Sequence, residues 1–318
     1  MIDIRAALAG ASTAGIGGHV RPDGDCVGAC LGLYLFIRKY YPDIDCEIRL
    51  GEFSPSFMFL KDADKILHDF EEEKIYDVYF CLDCTGDDRL GPAANYKKAA
   101  KKTVCIDHHV SSVPYCDINE IVPDASSASE LTALLIGEEF IDKDMAEALY
   151  MGIAHDTGVF QYSNTSPRTM VLAAELMKKG INHSKIVEDT YYTKTLPQQR
   201  ILGKCLSDAV TIMDGQIIFC AVTLSEMAFY GLSSTDIDGI SSALRQTQGV
   251  HAAIFLHEVA SQVYKVSLRS DDKVNVSEVA RHFGGGGHVR AAGCTMQGSI
   301  HDAVNNLTAQ IARQLDRM

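Results

Sequence analysis

At 318 residues the chain exceeds what one ordinary hydrophobic core organises, so two domains are the expected division. Its 47% apolar content is that of a globular protein, and no apolar run is long enough to span a membrane, because Arg38-Lys39 interrupt the best early one. A net charge of −13 excludes a protein that slides along duplex DNA on a basic face, but not one that takes a small anionic substrate beside bound cations.

In chain order, residues 14–20 read as a strand, 27–37 as an apolar helix, and 46–50, 76–82 and 102–106 as further strands. Alternation of this kind predicts a mostly parallel, doubly wound sheet with helices on both faces. Ser127-Ala128-Ser129-Glu130 is a capping box ahead of an apolar helix over 131–140, a helix start rather than a catalytic serine. From Asp144 the pattern turns helical over 145–154, 166–179 and 184–206, the last broken near Pro197 and holding the bridge between domains. A second alternating unit begins near Ala209, with strands at 216–223, 250–257 and 262–270, a tight turn at Val259-Ala260, and helices at 276–283 and 300–315. The expected class is α/β, with a larger doubly wound domain over 1–187, a helical linker over 188–208 and a smaller α/β substrate-binding domain over 209–318, with a cleft between the domains.

The ends of these elements carry the chemistry. The first strand runs into His19-x3-Asp23-x-Asp25, the strand over 76–82 ends at Asp83, the next ends in Asp107-His108-His109, and the helix over 145–154 delivers His155-Asp156. Imidazoles and carboxylates are costly to bury unless paired or bound to a cation. Parallel sheets gather ligands at the carboxyl ends of their strands. Together these predict a two-metal site, whereas a lone His-x3-Asp-x-Asp is more often a loop of caps and turns.

These motifs, with Gly284-Gly285-Gly286-Gly287-His288 and Gly293 near the C-terminus, resemble the DHH phosphoesterase superfamily and its DHH-associated domain over nearly the whole chain. The short two-domain form is similar to the oligoribonuclease (nanoRNase) and pAp-phosphatase branch. Cys26 and Ala29 stand where the family usually has alanine and serine, and neither is expected to be a ligand. The resemblance implies one ion on His19, Asp23 and Asp83, and a second on Asp25, Asp83, His108 and Asp156, with Asp83 bridging. Two divalent cations, manganese foremost with magnesium or cobalt as substitutes, would activate a bridging water for in-line attack on phosphorus. His109 would face the substrate and Asp107 would orient a neighbouring ligand. Arg89 either contacts phosphate or lies solvated, and His155 either joins the pocket or is structural. In the second domain Arg269, Gly285, Gly286, Gly287 and His288 would grip the nucleotide away from the metals, with a lesser part for Arg290.

The implied activity is that of a hydrolase acting on phosphoester bonds. It would cut short oligoribonucleotides (nanoRNA) to mononucleotides and convert 3′-phosphoadenosine 5′-phosphate (pAp) to AMP. A related alternative is a phosphodiesterase for cyclic di-AMP or pApA. The rival from another class, a non-catalytic nucleotide sensor, would have lost one of the six metal ligands, and none is missing. An inorganic pyrophosphatase shares the first-domain pattern but not the glycine-rich loop. Expected partners are short single-stranded RNA, dinucleotides and pAp, without duplex DNA or membrane, and with a homodimer left open. No signal-peptide pattern opens the chain, so a cytoplasmic protein is expected. The ten cysteines are scattered through apolar runs and read as core residues, Cys81-Leu82-Asp83-Cys84 lacking a second pair.

Overall fold

Five short parallel strands, β1 (Thr13–Gly17), β2 (Asp45–Arg49), β3 (Val78–Leu82), β4 (Thr103–Asp107) and β5 (Ile118–Ile121), form the first sheet in the order β2-β1-β3-β4-β5. They lie in the first of two units, Met1–Thr193 and Lys194–Met318, of a computed structural model that describes residues 1–234 and 236–316. β3 is buried along its whole length and alternates as a two-sided strand must. Val78, Phe80 and Leu82 join the core made with helices Gly24–Tyr40, Ala128–Ile136 and Lys143–Asp156. Tyr79 and Cys81 face the opposite way, into a cluster with Tyr76, Leu90, Ala94 and Tyr96.

Helix Gly24–Tyr40 is buried from Gly24 to Ile37 because it is covered by both the sheet and helix Lys143–Asp156. A Cβ at Gly28 would collide with the Ala148 carbonyl, so glycine is what lets those two helices approach. The expected helix over 131–140 stops at Ile136, since Gly137 takes φ +91° and residues 138–140 form a separate 3-10 turn. β5, Ile118-Asn119-Glu120-Ile121, gives no alternating signal and forms by pairing with β4 at the sheet edge.

The strand order has its switch point between β1 and β3, where connections leave the sheet in opposite directions and open a crevice at the carboxyl ends. That topology sets the residues after β1 beside those after β3. No helix among the described residues is long and apolar enough to cross a membrane.

The second unit holds a mixed sheet of β6 (Val210–Ile212), β7 (Ile217–Val222), β8 (Ala252–Ala260), β9 (Val263–Ser270), β10 (Gly286–His288) and β11 (Ala291–Gln297), ordered β10-β11-β9-β8-β7-β6 with only β7 and β8 parallel. One face packs Leu256, Val266 and Leu268 against helices Val276–His282 and Ile300–Leu315. The other packs Ile218, Cys220 and Phe255 against helices Leu196–Asp208 and Ile240–Arg245. The turn expected at Val259-Ala260 falls two residues later, at Ser261-Gln262, because β8 continues through a bulge to pair Ala260 with Val263. The helix over 184–206 is interrupted by a π-turn, Glu188–Tyr192, and restarts at Leu196 with a Thr195–Gln198 capping box and Pro197 in its first turn.

Candidate functional site

Three strand ends and a helix end converge in the first unit. Asp23 caps helix Gly24–Tyr40, its carboxylate accepting from the amides of Asp25 (3.1 Å) and Cys26 (3.1 Å). His19 is buried, and its Nδ1 lies 2.9 Å from the Val20 carbonyl, which can only accept. Nδ1 therefore carries hydrogen, and Nε2 is left facing Asp83 Oδ2 (3.3 Å) and Asp23 Oδ1 (3.7 Å). Asp83 follows β3 with φ +52°, a left-handed conformation that aspartate tolerates, and its amide donates to the Ile106 carbonyl across the sheet (3.0 Å). His108, just past β4, places Nε2 3.6 Å from Asp83 Oδ1, 3.6 Å from Asp156 Oδ2 and 3.8 Å from Asp25 Oδ2. His19, Asp23, Asp25, Asp83, His108 and Asp156 thus form one connected group.

Neighbouring segments hold this group in place. Asp25 is almost fully buried and accepts from the amides of Ala128 (2.7 Å) and Ser129 (2.9 Å), the open N-terminus of helix Ala128–Ile136. Asn164 donates from Nδ2 to the Asp156 backbone carbonyl (3.1 Å) and to its carboxylate (3.3 Å). Neither grip was visible in the sequence pattern.

The capping box forms only in part. Ser127 caps the Glu130 amide (2.9 Å), but the Glu130 side chain turns to Ser126, Thr169 Oγ1 (2.7 Å) and Arg168 Nε (2.6 Å) instead of back to the Ser127 amide. Burial alone would raise the Glu130 pKa; its bonds to Ser126, Thr169 and Arg168 outweigh this and hold it below the ordinary carboxylate range. A depressed folded pKa contributes stability above the unfolded value, and that contribution is lost as pH falls through the folded one. Glu130→Gln, which sets an amide donor against these donors, should cost about 1–3 kcal/mol near neutral pH. The gap to wild type in pH-dependent melts should narrow as pH drops below about 4.3, the ordinary glutamate value. A gap that is constant down to acid pH would show that the Glu130 charge does not hold this segment.

His109 is less buried and lies beside the group. Its Nδ1 donates to Asp107 Oδ1 (2.8 Å) and sits 3.6 Å from Asp83 Oδ1, while Ser112 donates to the other Asp107 oxygen. Asp107, fully buried, thus orients His109. His155 packs edge-on against Phe57 and Tyr191, and its Nε2 meets Thr190 Oγ1 at 2.9 Å. Arg89 is exposed, and its backbone carbonyl accepts from the Val20 amide (2.8 Å).

Charge within the group is unevenly held. Burial would lower the His19 and His108 pKa values, yet adjacent acidic groups raise both. Burial first, then Asp83 and Asp156, lifts Asp25 well above the carboxylate range; burial, partly offset by His108, pushes Asp156 up to about 7. Asp83 goes the other way: burial would raise it, but the neighbouring His108 and His19 imidazoles hold it well below the ordinary value. Its Oδ1 is buried without a hydrogen bond, which is costly unless a cation meets it. Mixed imidazole and carboxylate donors around a carboxylate with an orphaned oxygen are a fitting set for divalent cations. Among the described residues, donor atoms within 4.8 Å of one another occur in two sets, His19 with Cys26 and Asp83, and Asp83 with His108 and His109.

In the second unit Arg269 lies on β9 and lines a cavity of about 260 Å³ with Asp238, Ser241, Phe255, His257 and Ser267. A Cβ at Gly285 would strike the Gly293 carbonyl and one at Gly287 the Ala291 carbonyl, so these glycines serve close backbone packing of β10 on β11. Gly286 and His288 complete β10. Arg290 is exposed, and its carbonyl accepts from the Ser270 amide (3.1 Å).

Residues 14–153 match the DHH family, N-terminal domain, and residues 214–316 match the DHHA1 domain. The chain is 29% identical over 283 residues to the bifunctional oligoribonuclease and PAP phosphatase NrnA of Bacillus subtilis, covering 87% of each. It is 28% identical over 308 residues to the protein of the same name from Thermus thermophilus, covering 94% of this chain and 89% of the relative. The crystal structure of an exopolyphosphatase-related protein from Bacteroides fragilis superposes with a TM-score of 0.89 at 27% identity, over 98% of this chain and 94% of that one.

Proposed function

The chain belongs to the DHH family and carries the DHHA1 domain, and from that premise we propose that it is a metal-dependent phosphoester hydrolase of short oligoribonucleotides and pAp. The observation that carries this reading is Asp83, buried after β3 with Oδ2 toward His19 and an unbonded Oδ1 between His108 and His109. The substrate class is supported by the names of relatives similar over most of the chain.

His19, Asp23 and Asp83 would hold one divalent cation, and Asp25, Asp83, His108 and Asp156 the other. When bound, such a pair neutralises phosphoryl charge and makes water a nucleophile at neutral pH. Manganese is the favoured ion because imidazole donors stand among the carboxylates. His19 presents Nε2 because its Nδ1 is committed to Val20, and the amides of Ala128 and Ser129 fix the Asp25 carboxylate. His109, held by Asp107, offers its Nε2 side to the substrate, where it stabilises phosphoryl oxygens or protonates the departing alkoxide.

The test is one product analysis with a labelled dinucleotide, a long single-stranded RNA, pAp and cyclic di-AMP in parallel, before and after chelation. Mononucleotides from the dinucleotide and AMP from pAp are expected, with rates falling as strands lengthen and activity best restored by manganese. Hydrolysis confined to cyclic di-AMP would replace the substrate assignment. No hydrolysis with two ions bound would make the protein a sensor.

Arg269 and His288 are assigned to nucleotide binding. Arg269→Ala should raise KM for dinucleotides and pAp by roughly tenfold or more, the loss of one charge-assisted contact. Slow hydrolysis of a small aryl phosphodiester, which lacks the groups Arg269 would hold, should hardly change. Equal damage to both substrate classes would assign Arg269 to the fold instead.

A further inference from the structure

Cys26 was expected to stay outside the ligand set, yet its sulfur falls among the donors. The side chain is completely buried in the first turn of helix Gly24–Tyr40, one residue beyond Asp25. Its Sγ lies within 4.8 Å of the ligand atoms of both His19 and Asp83. It rests directly against the backbone of Gly18, where a Cβ would collide with the sulfur, so the residue preceding His19 leaves room for it. Asp83 turns its other oxygen, Oδ2, to this side, 3.3 Å from His19 Nε2, so a carboxylate, an imidazole and the sulfur converge here.

The other nearby thiols are differently placed. Cys84 follows Asp83 in the chain but donates from Sγ to the Gly86 carbonyl at 3.3 Å. Cys30 lies one turn beyond Cys26 in the same hydrophobic core. Neither falls in a set of converging donors among the described residues.

We propose that Cys26 is a sulfur ligand, with His19 and Asp83, for one of the two divalent cations, and that it tilts that position toward softer ions such as zinc or cobalt; the inference rests on the two-cation reading above. On binding, the S–H bond breaks, the proton passes to bulk water and a metal–sulfur bond forms. A coordinated dication removes a thiol proton outright. Thiolate ligands favour zinc over magnesium and manganese, so this position would differ in preference from the one served by Asp25, His108 and Asp156.

The test uses the full chain, stripped of metal and reloaded with cobalt, with cobalt content counted by equilibrium dialysis and the near-ultraviolet sulfur-to-cobalt charge-transfer band recorded. Wild type, Cys30→Ala and Cys84→Ala should show the band. Cys26→Ala and Cys26→Ser should lose it while still taking up cobalt, and their preference for zinc over manganese should fall by roughly tenfold or more. X-ray absorption at the cobalt edge of the wild-type protein supplies a reading independent of any variant, a sulfur neighbour at about 2.3 Å. Two bound cobalt ions without the band or the sulfur neighbour would overturn the role of Cys26 and leave the two-cation reading standing, as would a band that survives in Cys26→Ala. Failure to bind cobalt at all would remove both.

Discussion

Asp83→Asn should reduce dinucleotide turnover by roughly a thousandfold or more, about 4 kcal/mol of barrier, in a protein that still folds. The carboxylate lies 3.3 Å from His19, 3.6 Å from His108 and 3.6 Å from His109, so it is the side chain shared by both halves of the group. Asparagine keeps its size, accepts the left-handed φ of +52° and preserves the hydrogen bond from its backbone amide to the Ile106 carbonyl, which separates the loss of charge from damage to the backbone. What it loses is the ability to present two anionic oxygens, one to each side. Turnover, metal content and a thermal melt should be recorded on the same preparation. A cooperative melt with fewer bound ions and no turnover is expected. Wild-type turnover with two ions bound would remove Asp83 from the centre of the mechanism.

The placement of Asp83 was legible because it depends on features that sequence patterning reports well. β3 is a short run buried on both faces, so it reads as an apolar strand, and the first polar residue after it must lie at the sheet edge. The same holds for His19 after β1 and His108 after β4. What the pattern did not carry is contact made across the fold. Asp25 receives its amides from Ala128 and Ser129, more than a hundred residues away, and those two residues look like an ordinary helix start. β11, Ala291-Ala292-Gly293-Cys294, has a composition poor in strand formers and exists because seven residues pair in register with β9. Cys26 carried the bland signal of a buried cysteine in an apolar helix, and only its place against Gly18 and His19 distinguishes it.

The packing logic also explains why the histidines have different tasks. His19 and His108 are 7% and 5% exposed, each with Nε2 turned to carboxylates inside the group, so neither is free to meet a substrate proton. His109 is more open, at 25% side-chain exposure, and Asp107 takes the hydrogen bond from its Nδ1. Two adjacent residues in a loop after β4 thus point their rings to different purposes, with ring centroids 4.8 Å apart.

From that division follows an expected outcome for His109→Ala, a loss of roughly 10²–10⁴ in kcat on a dinucleotide, the usual contribution of a positioned general acid. The departing 3′ or 5′ alkoxide is a strong base and needs a proton as it leaves, whereas a nitrophenolate leaves without one. The defect should therefore shrink to a few fold on a nitrophenyl phosphodiester, about 1 kcal/mol or less. Asp107→Asn should show the same substrate dependence in milder form, because it disturbs the orientation of His109 and leaves the ring in place. Metal content must stay at wild-type level in both variants, since His109 lies beside the ligand group and is assigned no ion in this scheme. If His109→Ala slows both substrates equally with its ions retained, the ring acts on the phosphoryl oxygens instead of the leaving group, and proton donation must come from elsewhere.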